Sequence, residues 1–499
     1  VFRAEGGPVP VTVRVAPRFD YGGVAPWLRA HDGGRFSAVG GSEGLVIWSD
    51  VDLRIDEHQD LVCQLTLQPG ETRRLSIRFC EPELLDADPP ADGVDGAMVD
   101  ARLLETVAWW RSWCGRQGGS GRRDPAVLRS ALVLKSLVTA NTGAIVAAPT
   151  TSLPEEIGGE RNWDYRYSWI RDSWLTVRSL ADLGFEAETD GFRRFVERSA
   201  AGSANEVHLL YGVDGSHRAP EVVLEELEGY RGSAPVRIGN AASTQLQLDM
   251  YGYLVELAWQ WTQRGQAPDH AYAGFIAEIV ALVCDLWARP DHGIWEVRNE
   301  PQHFVHSKAL CWTAVDRGVR LADAGALRNG GPIDRDRWCQ VREDIRASIF
   351  GQGVSARRGN FVQAYGSEEL DASLLLLPAA GFVAVDDPHM VATVDAIIEE
   401  LDQDGLIRRY RTPDGLRGGE GQFVACTFWL VECLAGQGRH AEARAYFDRV
   451  CVAGNDLGLF AEEFNPRTGE LLGNFPQALS HLAHIGAALV LAKSDHAQA

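Results

Sequence analysis

RNWDYRYSWIRDSWLTVRSLADLGFEAETDGFRRFVERSA, residues 161–200, contains the pattern that decides the fold. Its first part sets an aromatic ring on every second residue, Trp163, Tyr165, Tyr167 and Trp169, and follows them with the charged pair Arg171 and Asp172. Its second part reads as two helices, near 172–183 and 188–201, stopped by Gly184 and joined only by the short GFEA connection. A long, aromatic and charged approach thus leads into a tightly turned helical hairpin.

Working outward, the same alternation continues to the C-terminus. From about residue 125 the spacing predicts twelve helices, near 127–141, 172–183, 188–201, 241–263, 269–288, 306–325, 334–350, 369–380, 387–402, 421–436, 439–453 and 475–494. Connections after even-numbered helices are short, whereas those after odd-numbered helices run on the order of 17 to 39 residues, long enough to imply function. Six hairpins with every long connection at one end describe an (α/α)6 barrel with one elaborated face. A solenoid of helix pairs would show a repeating signature, and none is visible.

Upstream the texture changes. VPVTVRVAPRF, LVIWSDVDLRI and LVCQLTLQPGETRRLSIRF alternate apolar and polar positions, with Pro69-Gly70 as a turn. Residues 1–85 are therefore expected to form an antiparallel β-sandwich. Residues 86–124 read as a linker with a helix near 98–114, and 125–499 as the barrel. The expected fold class is mainly α.

A formal charge of −21 sets the surface against a phosphate backbone, which argues against nucleic acid and fits a neutral small molecule. No apolar run approaches the length of a membrane span. The nine cysteines have irregular spacings without a CxxC pair, so reduced thiols in a cytoplasmic protein are expected. The opening VFRAEGG lacks both a signal-peptide pattern and an initiator Met, and a start missing from this chain is one reading of it. Oligomeric state is left open, a homo-oligomer included.

The long connections share one character. LEELEGYRGSAPVRIGN (224–240), DHGIWEVRNEPQHFVHSK (291–308), FVQAYGSEE (361–369), GLIRRYRTPDGLRGGEGQF (405–423) and GLFAEEFNPRTGELLGNFPQ (458–477) all combine aromatics, glycines and charges, as the opening stretch does. Rings stack on the apolar face of a pyranose while carboxylates and arginines bind its hydroxyls. Alternating aromatics taken singly are also a core signature, and Arg171-Asp172 also reads as a helix-start ion pair. Six such connections brought to one face by topology favour a sugar site.

Hydrolysis of a glycosidic bond needs one carboxylic acid to protonate the leaving oxygen and one carboxylate to assist attack. The acid must stay protonated, which apolar walls promote. Glu296, between Ile294, Trp295 and Val297, fits that role. Glu462 in LFAEEFNP is the first choice of base and its neighbour Glu463 the second, with Glu225, Glu226, Glu228 and Glu420 also available.

DYRYSWIRDS, GYRGSAPVRIGN, GIWEVR, HSKALCW, LDASLLL, FWLVECL and FAEEFNPRTGELLGNFPQALSHL, taken in order, resemble glycoside hydrolase family 15, which includes glucoamylases and the bacterial and archaeal trehalases. The resemblance implies an (α/α)6 catalytic barrel behind an N-terminal β-sandwich. It also implies an inverting exo-hydrolase that releases β-glucose from the non-reducing end of an α-glucoside. By the same resemblance Glu296 is the general acid and Glu462 the general base, Arg171 and Asp172 hold the glucosyl hydroxyls, and Tyr165 and Trp169 line that subsite. Tyr165 is then expected near the attacking water, Arg409 is a second sugar-binding arginine, and Trp295 borders the pocket. No cofactor and no metal are called for.

Two positions depart from the pattern. Val297 follows the acid where fungal glucoamylases have a second acid, and the chain lacks the first sandwich residues of its prokaryotic relatives. Trehalose is the first-choice substrate, because the short form resembles actinobacterial trehalase-type members and carries no starch-binding module. Maltooligosaccharides, starch ends or isomaltose are the alternative. A glycoside phosphorylase would lack a base equivalent to Glu462, and a non-catalytic sugar-binding protein would lack one of the carboxylates. The glycines of GRQGGSGRR and LRGGEGQF lack a phosphate-binding context, and His303 and His306 have no carboxylate-rich cluster beside them.

Overall fold

The computed structural model describes residues 1–86, 94–116, 124–266 and 268–498. The expected linker therefore falls partly, at 87–93 and 117–123, outside the described residues. The chain forms two compact units, Val1–Gly115 and Arg116–Ala499.

Among the described residues the first unit has nine strands: β1 Phe2–Arg3, β2 Val9–Val15, β3 Trp27–His31, β4 Arg35–Gly40, β5 Glu43–Ser49, β6 Arg54–Ile55, β7 Leu61–Leu67, β8 Thr72–Arg73 and β9 Leu75–Phe79. Beside the short β1-β8 pair, they order into a β2-β7-β6 sheet and a β3-β4-β5-β9 sheet, and every pairing is antiparallel. Period-two alternation gives each sheet one apolar face. Val15 and Leu61 from the first sheet meet Leu28, Phe36, Ala38 and Ile47 from the second in one core. The β3-β4 hairpin turns through Gly33 and Gly34 at φ +74° and +71°, a conformation that favours glycine. Helix α1, Gly96–Cys114, starts on the Asp95 side chain, which accepts from Met98 N. It is tied to the strands by Arg74, which pairs with Asp50 at 3.2 Å and Asp100 at 2.6 Å.

The second unit is helical: α2 Pro125–Ser136, α3 Ile170–Asp182, α4 Ala187–Ser199, α5 Asp249–Gln263, α6 His270–Leu286, α7 Val305–Asp323, α8 Arg335–Gln352, α9 Pro388–Leu401, α10 Val424–Gly436, α11 His440–Cys451 and α12 Ala478–Gln498. Burial separates two kinds of helix. α7 is buried all round over most of its length, and so is α10, whereas α8 buries only Trp338, Ile345 and Ile349 along one stripe. Among the buried helices α12 packs on α3, α3 on α5 and α5 on α7; α10 packs on α12, and the turn Ala372–Leu376 touches both α7 and α10. None of the described helices is long and apolar enough to cross a membrane. All nine cysteines are unpaired.

Two expected helices are corrected. The 369–380 segment is a 3-10 turn over Ala372–Leu376 only, because the Asp371 side chain caps it at Ser373 N and Pro378 brings no N–H. The 241–263 segment starts its α-helix at Asp249, since Asn240 caps only a 3-10 turn, Ala241–Thr244, and the chain is extended at Gln245 (ψ 150°). Both corrections fall in the long connections.

Candidate active site

The aromatic stretch is extended. Its backbone is held against 147–152, with Ala147 N donating to Tyr167 O and Ala148 N to Tyr165 O, both at 3.0 Å, and Ser152 N to Trp163 O at 2.9 Å. Successive side chains of an extended segment point to opposite sides, so rings two residues apart share a face. Trp163, Tyr165 and Trp169 accordingly line one cavity, and Tyr167 packs edge-on against Trp169.

That cavity also receives Arg171, Asp172, Trp295, Glu296, Arg409 and Glu462, so the eight residues that the family resemblance implies for the site all line it. Tyr165 Oη donates to Glu462 Oε1 at 2.6 Å and Trp169 Nε1 to Glu296 Oε1 at 2.7 Å. The two rings meet edge to face, 5.6 Å between centroids. One extended segment therefore fixes both carboxylates, each through a different ring.

Arg171 and Asp172 sit in the first turn of α3, both buried. Arg171 Nε donates to Asp172 Oδ2 at 3.1 Å, its Nη1 to Ile294 O at 2.7 Å, and its Nη2 lies 3.8 Å from Glu296. Trp295 is fixed from behind, its Nε1 donating to Asp371 Oδ1 at 2.8 Å and its ring packed edge-on against Phe423.

Glu296 and Glu462 titrate high for related reasons. Burial pushes the Glu296 carboxyl up, while the Arg171 guanidinium and the Trp169 N–H pull it down. Burial and the charge of Glu155 push Glu462 up to about 8, against the opposite pull of Arg409 and the Tyr165 hydroxyl. Glu462 Oε2 is buried with no hydrogen-bond partner among the described residues, leaving one acceptor free beside the one Tyr165 occupies.

Adjacent glutamates part company here. Glu463–Asn465 is a strand paired with Gln422–Phe423, and Glu463 Oε2 accepts from Gly421 N at 2.6 Å. Strand alternation turns Glu463 toward Arg409, at 3.4 Å, and leaves Glu462 on the cavity wall. Glu225, Glu226 and Glu228 are exposed. His306 is buried against Tyr253, 3.4 Å from its hydroxyl, and His303 stacks on Tyr365.

Several lining residues were not singled out in the sequence, chiefly Glu155, Arg161, Asp414, Tyr410 and Gln477. Arg409 donates to Glu155 Oε2 at 2.8 Å and also pairs with Glu420. Arg161 pairs with Asp414 at 2.6 Å, and Tyr410 Oη donates to the same carboxylate at 2.8 Å. Glu155, Glu420 and Glu463 offer carboxylate oxygens within 4.8 Å of one another, a spacing that could hold a metal ion, but the Arg409 guanidinium is the cation among them. An acidic pair between Pro154 and Gly158 marks Glu155 as part of a loop; its partner lies 254 residues further on.

A helical unit whose connections gather two carboxylates, arginines and aromatic rings in one cavity has the make-up of a carbohydrate-active protein. The sequence pattern of the family described as Glycosyl hydrolases family 15 matches residues 121–489, and the chain belongs to that family. It is 43% identical over 386 residues to a trehalase of Thermoplasma acidophilum, covering 77% of this chain and 65% of the relative. It is likewise 43% identical over 402 residues to a trehalase of Mycolicibacterium smegmatis, covering 79% of this chain and 59% of the relative. The matched part thus spans about three fifths of the length of these curated relatives. Among solved structures, a bacterial glucoamylase complexed with acarbose shares the fold, with TM-score 0.71 and 13% identity over 94% of this chain and 74% of that one.

Proposed function

We propose that this protein is an inverting, exo-acting α-glucoside hydrolase that releases β-glucose from the non-reducing end, with trehalose as its substrate. The observation that carries the reading is the pair of carboxylates on one cavity, Glu296 held by Trp169 and Glu462 by Tyr165. Two trehalases among its relatives support the choice of sugar. The cyclic packing of α3, α5, α7, the Ala372–Leu376 turn, α10 and α12 supports an (α/α)6 barrel. The shared core of two antiparallel sheets supports a β-sandwich before it. This reading keeps the sandwich at 1–85, the helix-bearing linker at 86–124 and the barrel at 125–499. Nine unpaired cysteines support a reducing, cytoplasmic setting.

In the proposed mechanism a glucosyl ring enters between the aromatic rings, with Arg171 and Asp172 on its hydroxyls and Trp169 and Trp295 at its faces. Glu296 donates its proton to the glycosidic oxygen as the bond to the anomeric carbon breaks. Glu462 takes a proton from a water on the opposite face, Tyr165 orienting that water through the carboxylate they share. Attack from the opposite face inverts the anomeric carbon, which requires carboxyl groups about 6.5–9.5 Å apart so that the water fits. The competent state has Glu296 protonated and Glu462 ionised, so activity rises with pH as Glu462 ionises and falls as Glu296 does. Arg409 contributes positive charge near Glu462 and a guanidinium at the cavity wall.

The test is glucose release from a panel of trehalose, maltose, longer maltooligosaccharides and isomaltose. The expected outcome is the highest kcat/KM on trehalose. Preference for maltooligosaccharides or isomaltose would establish the glucoamylase-type or isomaltose-type alternative, and no release from any would refute the reading.

A further inference from the structure

The acid-bearing loop rests on a short segment that the sequence reads as helix and the structure shows otherwise. Between the Ala241–Thr244 turn and α5, the chain runs beneath residues 291–297. His292 N donates to Leu246 O at 3.0 Å, and Leu248 N donates to Asp291 Oδ2 at 2.9 Å. The Gln245 side chain completes the set, its Nε2 donating to the carbonyls of Glu296 at 3.2 Å and Val297 at 3.3 Å. Gln247 Nε2 donates to Gln245 Oε1 at 3.1 Å, which turns the amide nitrogen toward the loop.

What that amide holds is a strained backbone. Glu296 has φ +58°, in the left-handed region that non-glycine residues seldom enter and that persists only where the surroundings enforce it. Glycine cannot relieve the strain without deleting the carboxylate. From the other side the Arg171 side chain grips the same loop, its Nη1 donating to Ile294 O at 2.7 Å. The backbone at 296 decides where the carboxyl points, which is at Trp169 Nε1.

We propose that Gln245 is a positioning residue for the general acid: its amide clamps two successive carbonyls and keeps Glu296 in the left-handed conformation that aims its proton at the leaving oxygen. The inference rests on the reading of Glu296 as the acid. It predicts a defect confined to proton donation, because Gln245 touches neither Glu462 nor the Arg171–Asp172 pair by any hydrogen bond described.

The test compares two substrates in wild type, Gln245→Met and Gln245→Glu. Met keeps the length and loses the donor, and Glu keeps the shape while presenting a carboxylate to the carbonyls. Trehalose needs a proton on its leaving oxygen, whereas α-glucosyl fluoride expels fluoride without one. The expected result is a kcat on trehalose lowered about 10- to 100-fold with KM little changed, and near-normal turnover of the fluoride. Glu296→Gln should show the same contrast, more strongly. Equal losses on both substrates, or an unchanged kcat on trehalose, would overturn the proposal. Should wild type hydrolyse no trehalose, the functional reading fails by itself, and a crystal structure of Gln245→Met decides the positioning claim. Departure of residue 296 from positive φ supports it, and retention overturns it.

Discussion

Arg317 and Arg409 are both buried arginines, yet their surroundings differ in the balance of charge. Arg317 bonds Glu256 and Asp316 and donates to Ala380 O at 3.3 Å, and Asp316 also takes Arg320 at 2.7 Å and Arg342 at 3.3 Å. Two carboxylates there meet three guanidiniums, locking α5, α7 and α8 together. Arg409 stands among Glu155, Glu420 and Glu463, with Arg161 3.9 Å from Glu420. Three carboxylates there meet two guanidiniums, Arg161 being drawn mainly to Asp414, and a fourth, Glu462, lies within range of Glu155 and Arg409. Excess carboxylate raises proton affinity: burial lifts Glu155, Glu462 and Glu463, the charge of Glu155 adds to the lift of Glu462 and Glu463, and the charge of Glu420 adds to that of Glu155 and Glu463. Buried charge ties three helices together at Arg317 and lines a cavity at Arg409.

The sharpest break between the regions comes at the cavity. Glu296→Gln and Glu462→Gln should each lower kcat by about 10²- to 10⁴-fold while KM and the unfolding midpoint stay close to wild type. Steady-state kinetics with denaturant titration checks both, and near-normal turnover of either variant removes that residue from its role. Arg317→Met should do the reverse. Leaving the buried Glu256 carboxylate without its guanidinium, while Asp316 keeps Arg320 and Arg342, costs about 3–5 kcal/mol of stability, seen as a lower denaturant midpoint, with both pH limbs of the folded protein unmoved.

Two milder changes sharpen the contrast by moving one limb in opposite directions. The Tyr165 hydroxyl pulls the Glu462 carboxyl down, so Tyr165→Phe should raise it and shift the acidic limb of kcat/KM to higher pH, with kcat lowered about tenfold. The charge of Glu155 pushes the same carboxyl up, so Glu155→Gln should shift that limb to lower pH with kcat at the optimum within about tenfold of wild type. A pH–rate profile in which both variants move the limb the same way would break the assignment of Glu462 as the group that must ionise.

Much of this site is readable in the sequence because its signals are local. Alternating rings followed by Arg-Asp mark an extended segment entering a helix, and Glu296 shows its apolar neighbours within two residues. Where the sequence left a choice, a long-range pairing separates the candidates in space. Glu462 and Glu463 are indistinguishable until the 463–465 strand pairs with 422–423 and alternation assigns them opposite sides. The part Glu155 plays is hidden for the same reason, its arginine lying far along the chain. Residues 241–248 read as helix from Asn240 and the apolar run that follows, but the α-helix begins only at Asp249, and the segment before it bonds to the loop that carries Glu296. Tertiary hydrogen bonds overrode local propensity where the loop needed a support.

The central claim is that Glu296 and Glu462 act from opposite faces of one glucosyl ring. NMR of the anomeric proton during the first minutes of trehalose hydrolysis tests it most directly. Trehalose yields one glucose that keeps the α-configuration and one that is attacked, so inversion gives equal amounts of α- and β-glucose before mutarotation. Release of α-glucose alone would contradict the account.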